Sequence, residues 1–82
     1  MDYKNMSISD LAVVIQRDWS SKGKGVNFAA LPYLNAMRAL ETVDDMYGWD
    51  SGDMTVRYFL GNAQGWRGDV AKAVKAELKS RL

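Results

Sequence analysis

Cysteine and histidine are both absent from this chain of 82 residues, and proline occurs once. Without cysteine there is no disulfide framework, no thiolate zinc site and no thiol nucleophile. Without histidine the chain lacks the commonest general base and the commonest transition-metal ligand. No nucleophile elbow is present either, so the sequence reads as non-enzymatic, with no metal and no cofactor expected. No apolar run approaches the roughly 20 residues of a membrane-spanning helix. The start, Met1-Asp2-Tyr3-Lys4-Asn5, lacks the basic-then-apolar layout of a secretory signal. Together these absences predict a soluble protein of the cytoplasm that makes no membrane contact.

An excess of one charge is also missing, since 11 basic and 10 acidic side chains leave a net charge of +1. Their distribution is uneven. Residues 1–26 carry +4 and −3, residues 27–66 carry +2 and −5, and residues 67–82 carry +5 and −2. An acidic middle and a basic end reflect either a partner or helix ends matched to their dipoles.

Apolar residues are plentiful, at 48% against 26% charged, which argues for a folded domain rather than disorder. The length predicts a single domain that buries roughly 60–65% of its unfolded surface. Residues 1–6 read as a flexible N-terminal tail, and residues 7–82 as one helical domain. Ser7-Ile8-Ser9-Asp10 fits a helix start with a capping serine. Ile8, Leu11, Ala12, Ile15 and Trp19 recur at steps of three and four, which predicts an amphipathic helix over about residues 8–19. Ser20-Ser21-Lys22-Gly23-Lys24-Gly25 breaks it. That loop lacks the order of a phosphate-cradling P-loop, so it reads as a solvated linker.

Pro32 suits the first turn of a second helix. Tyr33, Ala36, Met37, Leu40 and Val43 form its stripe, and its span is predicted as residues 31–45, with Phe28 tucked into the core ahead of it. Gly48 reads as a left-handed stop for that helix. Ser51 or Asp50 caps a third helix whose buried face is Val56, Phe59, Leu60 and Ala63. Met54, Tyr58 and Trp66 widen its apolar surface, which suggests a central position. A last helix, residues 68–82, buries Ala71, Val74, Leu78 and Leu82. No segment alternates with period two. The predicted fold is all-α, a compact four-helix domain with short Gly-containing turns and a core of Trp19, Met37, Leu40, Phe59, Leu60, Val74 and Leu78.

Function is sought in the connections. Asp44-Asp45-Met46-Tyr47-Gly48-Trp49-Asp50-Ser51-Gly52-Asp53 and Asn62-Ala63-Gln64-Gly65-Trp66-Arg67-Gly68-Asp69 both join large aromatics to charge and glycine. Ordered loops of this kind commonly carry function. The four aspartates of the first invite a calcium loop, but Tyr47 and Trp49 interrupt the alternation and no glutamate closes it. Helix capping on a solvated surface is the plainer reading. Tyr47, Trp49 and Trp66 either close the ends of the core or form an exposed binding patch. The candidate partner-binding residues are Tyr47, Trp49, Asp50, Trp66 and Arg67. An alternative is a small DNA- or RNA-binding module in which Arg67, Lys72, Lys75 and Lys79 contact phosphates, with the third and fourth helices resembling a helix-turn-helix in outline. Asp69 among those positions opposes it. A further alternative is a self-associating structural subunit, using apolar surface left on the last two helices.

The string Pro32-Tyr33-Leu34, Ala36-Met37, Tyr47-Gly48, Asp50-Ser51-Gly52, Tyr58-Phe59-Leu60, Asn62-Ala63, Trp66-Arg67-Gly68 and Lys75-Ala76-Glu77-Leu78-Lys79, with Asp18-Trp19 upstream, resembles a family of small uncharacterised phage and prophage proteins. The likeness covers about residues 8–82, and the Ser20–Gly25 loop is longer and richer in glycine than that pattern. The resemblance implies a phage accessory product acting in the host cell. Such products commonly bind a host protein or nucleoprotein complex, and an anti-defence role of the anti-CRISPR kind belongs to that class.

Overall fold

The protein is described here by a computed structural model covering residues 2–82. It has four helices, α1 (Ile8–Ser20), α2 (Leu31–Met37), α3 (Gly52–Gly61) and α4 (Asp69–Ser80), and a two-stranded antiparallel hairpin, β1 (Met46–Tyr47) with β2 (Asp50–Ser51). A 3-10 turn at Tyr3–Asn5 precedes α1. The domain is thus mostly helical, with the four helices expected, but the hairpin corrects the all-α reading.

α1 follows its sequence closely. The Ser7 hydroxyl accepts the Asp10 N–H at 3.0 Å, and the buried residues are the five of the predicted stripe. The first turn of any helix leaves backbone N–H groups without partners. Here Ile8 and Ser9 donate theirs to the carbonyls of Glu41 and Leu40, at 2.9 and 2.8 Å.

Those bonds account for the largest correction. The second helix was expected to run to residue 45 and ends at Met37. Residues 40–45 instead turn their carbonyls away from a common axis. Leu40 and Glu41 serve the start of α1, while Asp45 and Val43 accept the N–H groups of Gly52 and Asp53, at 2.6 and 2.8 Å, at the start of α3. One turn therefore caps two helices. The Asp45 carboxylate holds it by accepting the N–H groups of Glu41 and Thr42. A continuous helix would spend the Leu40 and Glu41 carbonyls on its own residues 44 and 45, taking them from the start of α1, and would point those of Val43 and Asp45 along its axis instead of at α3.

Gly48 is not a helix stop. It has φ +63° and, with Trp49, forms the two-residue loop between paired Tyr47 and Asp50. A positive φ confined to the first loop residue matches the glycine-first turn that suits hairpin twist. The period-two signal was missing because each strand has only two residues.

Trp19, Phe59 and Trp66 form the aromatic centre of the core. Trp19 stacks on Trp66 with centroids 5.9 Å apart and meets Phe59 edge-on at 6.3 Å. Met37, Leu40, Val74 and Leu78 are buried as expected, and Leu60 is half-buried against them. Leu82 lies at the surface instead. Phe28, expected inside, is 89% exposed. The Asn27 side chain accepts the Ala29 N–H, and its carbonyl accepts from Ala30 and Leu31, winding a turn that puts Ala30 into the core and Phe28 outside. α3 is not the central helix. α1 packs against both α2 and α4, whereas α3 packs chiefly on α2, with Phe59 reaching Trp19 of α1. Its broad apolar surface is left open at Met54 and Tyr58.

The expected tail is tied to the domain over residues 3–6, while Met1 lies outside the described residues. Tyr3 and Met6 pack on the core. Arg81, held by Glu77 at 2.8 Å, donates to the carbonyls of Tyr3 and Lys4.

Candidate partner-binding surface

The hairpin presents three of the five candidate residues together. The ladder sets Tyr47 opposite Asp50, and Trp49 occupies the turn beside them. Trp49 is 99% exposed, Met46 60% and Tyr47 48%. The base of the hairpin is firm, because Gly52 follows β2 directly and its N–H is bonded to the Asp45 carbonyl. The turn thus presents a fully solvated indole away from the domain. α3 carries exposed apolar side chains of its own. Ser51 accepts the Met54 N–H as N-cap, and Met54 and Tyr58, four residues apart, lie on one helix face. Tyr58 leans on Tyr33 of α2 at 5.5 Å. Met46, Met54 and Tyr58 were not among the predicted contacts. The spacing of Met54 and Tyr58, off the Val56–Phe59 core face, was the available signal.

Trp66 and Arg67 do not join this patch. The hairpin enters α3 at its N-terminus and the Asn62–Gly68 connection leaves from its C-terminus, about 15 Å away along a ten-residue helix. Trp66 is fully buried, which corrects its expected role as a contact. Its indole N–H donates to the Asp18 carboxylate at 2.8 Å. Lys22 pairs with the same carboxylate at 3.1 Å and donates to the Arg67 carbonyl, so the loop, exposed over residues 20–24 as expected, is also pinned to this connection. Arg67 itself is exposed.

Asp18 has a carboxyl held below the ordinary aspartate range, first by the Trp66 indole and then by Lys22, against the opposing effect of burial. A folded-state value below the unfolded one adds stability above the unfolded value and loses it as pH falls through the folded one. Asp18→Asn is therefore expected to cost about 1 kcal/mol at neutral pH, since its amide oxygen still accepts but carries no charge. In urea unfolding at pH 7 and at pH 3, the gap between variant and wild type narrows at acid pH. An equal gap at both would remove Asp18 as the linked group.

The lysine face is also divided. Lys72 and Lys79 are exposed, but Lys75 donates to the carbonyls of Ala63 and Trp66, at 2.7 and 2.6 Å, and lies over the Trp66 ring. Burial lowers its pKa, followed by repulsion from Lys79 and Arg67. Lys75 thus completes the turn after α3 and is withdrawn from phosphate contact. α3 packs chiefly on α2 and α4 chiefly on α1, whereas a helix-turn-helix packs its two helices mainly on each other.

Two aspartates of the acidic turn are likewise engaged. Asp45 bonds backbone, and hydrogen bonds to Glu41 and then Thr42 keep its pKa low. Asp53 pairs with Arg57 at 2.6 Å. Among the described residues no three acidic, histidine or cysteine side chains are grouped to hold a metal ion, and no helix is long and apolar enough to cross a membrane. No protein-family model, curated protein or solved structure matches the chain.

Proposed function

We propose that this is a non-enzymatic binding protein whose hairpin engages a macromolecular partner. The observation that carries the reading is Trp49, almost wholly exposed at the tip of a turn whose base is fixed by backbone bonds. Exposing a large indole brings no folding benefit, and aromatic residues of this kind supply much of the energy of protein interfaces. A preorganised loop also loses little conformational entropy on binding. Met46, Tyr47, Met54 and Tyr58 extend the apolar area beside it, and Asp50 adds a polar contact.

The resemblance to phage accessory products supports a host protein or nucleoprotein complex as the partner, in the host cytoplasm, with an anti-defence role as one form of that activity. The nucleic-acid alternative retains Arg67, Lys72 and Lys79 but not Lys75.

The test is capture of the partner from nuclease-treated host lysate by tagged wild type and Trp49→Ala. The variant is expected to lose at least about 2 kcal/mol of binding, near thirtyfold. Its unfolding free energy should stay within about 0.5 kcal/mol of wild type, because the indole touches little. Equal capture by both proteins would reject the hairpin as the interface. Capture abolished by nuclease would favour the basic residues instead.

A further inference from the structure

We infer that the hairpin surface takes a basic, arginine-bearing protein segment. This rests on the function proposed above and adds the chemistry of the partner. Residues 41–54 contain Glu41, Asp44, Asp45, Asp50 and Asp53 and no lysine or arginine. Asp45 is committed to backbone and Asp53 to Arg57. Glu41, Asp44 and Asp50 are exposed, and none is in an ion pair among the described residues.

Solvated carboxylates need no partner of their own. The exposed apolar group of Met46, Tyr47 and Trp49 is what calls for cover, and the charge around it decides the cover's chemistry. A polyanion such as nucleic acid would be repelled. A wholly apolar partner would strip water from unpaired carboxylates, at high cost. An arginine satisfies both features at one point. Its guanidinium stacks on an indole face and donates a forked pair of hydrogen bonds to a carboxylate. Asp50 follows Trp49 directly and lies across the ladder from Tyr47, so a carboxylate and two rings flank the same tip. Lysine, a compact and strongly hydrated charge, stacks less well.

Trp49 also provides the readout. Trp19 is 4% exposed and Trp66 fully buried, so a change in tryptophan emission on adding a ligand at the surface reports the hairpin. The full chain is titrated with short alternating Arg-Gly, Lys-Gly and Asp-Gly peptides. The Arg-Gly peptide is expected to shift the emission saturably, the Lys-Gly peptide to bind about threefold more weakly or less, and the Asp-Gly peptide to give no shift. Raising salt from about 50 to about 300 mM should weaken the Arg-Gly peptide as screening shortens. Asp44→Asn combined with Asp50→Asn should weaken it about fivefold, with the unfolding midpoint unchanged.

No saturable response to Arg-Gly, an equal response to Asp-Gly, or unchanged binding by the double variant overturns the inference. If partner capture still depends on Trp49 while the Arg-Gly peptide is inert, the binding function stands and the basic partner is wrong. If instead light scattering shows a dimer that Trp49→Ala dissociates, a second copy is the occupant and the inference fails.

Discussion

Trp66→Ala is expected to lower folding stability by about 3–5 kcal/mol, the ordinary cost of emptying a large aromatic site. For a domain of this size the total is roughly 4–12 kcal/mol, so the variant lies close to unfolding. Three losses coincide at this side chain. The stack on Trp19 disappears, the Asp18 carboxylate loses its indole donor, and the Lys75 ammonium loses the ring beneath it. Trp66→Phe separates them, because it keeps most of the packing and removes the hydrogen bond, for a further expectation of about 1–2 kcal/mol. Urea unfolding followed by circular dichroism measures both. A Trp66→Ala protein within about 1 kcal/mol of wild type would contradict the aromatic core.

Gly52→Ala should be destabilising by about 1–3 kcal/mol, although alanine is the better helix former. A methyl group there would lie 2.9 Å from the Thr42 carbonyl oxygen, 3.0 Å from that of Val43 and 3.1 Å from that of Asp45. None of these is a flexible side chain that can swing away. The three oxygens belong to the turn that caps α1 and α3, so relief of the clash loosens both helix starts. Gly61→Ala is the control. It sits at the other end of the same helix with open space around it, and the change should be neutral or stabilising by up to about 1 kcal/mol. Equal effects at the two positions, read from thermal unfolding, would mean that the approach of α3 to residues 42–45 is looser than described.

These two sites differ in how visible they are in the sequence. Gly52 stands where a helix start is predicted, and nothing local separates it from any other glycine near a cap. Trp66 lies in a connection among glycines, where exposure and burial are equally compatible with its neighbours. Its burial follows from Asp18, Trp19 and Lys75, none of them close in sequence. Within the hairpin, by contrast, Tyr47, Trp49 and Asp50 are already candidates from their place in a connection rich in aromatics, acids and glycine. The structure adds that they share one hairpin, that Met46, Met54 and Tyr58 are exposed too, and that Arg67 stands at the far end of α3.

What the sequence by itself determined is whatever depends on neighbours within a turn or two. The stripe of α1, its Ser7 cap, the Ser51 cap of α3 and the buried series Ala71, Val74 and Leu78 of α4 all follow from the helical repeat and from short side chains reaching N–H groups three residues on. Tertiary structure alone decided where α2 stops, that a hairpin follows it and that Lys75 faces inward, while Phe28 faces water because of the local turn at Asn27. The reason is common to the first three. Backbone polar groups must find partners when buried, and in this domain the carbonyls of Leu40, Glu41, Val43, Asp45, Ala63 and Trp66 are claimed by groups of other elements. Periodicity describes which side of a segment is apolar. It carries no information about which distant N–H or ammonium group will claim a carbonyl, and here those claims set the end of one helix and the shape of the surface beside it.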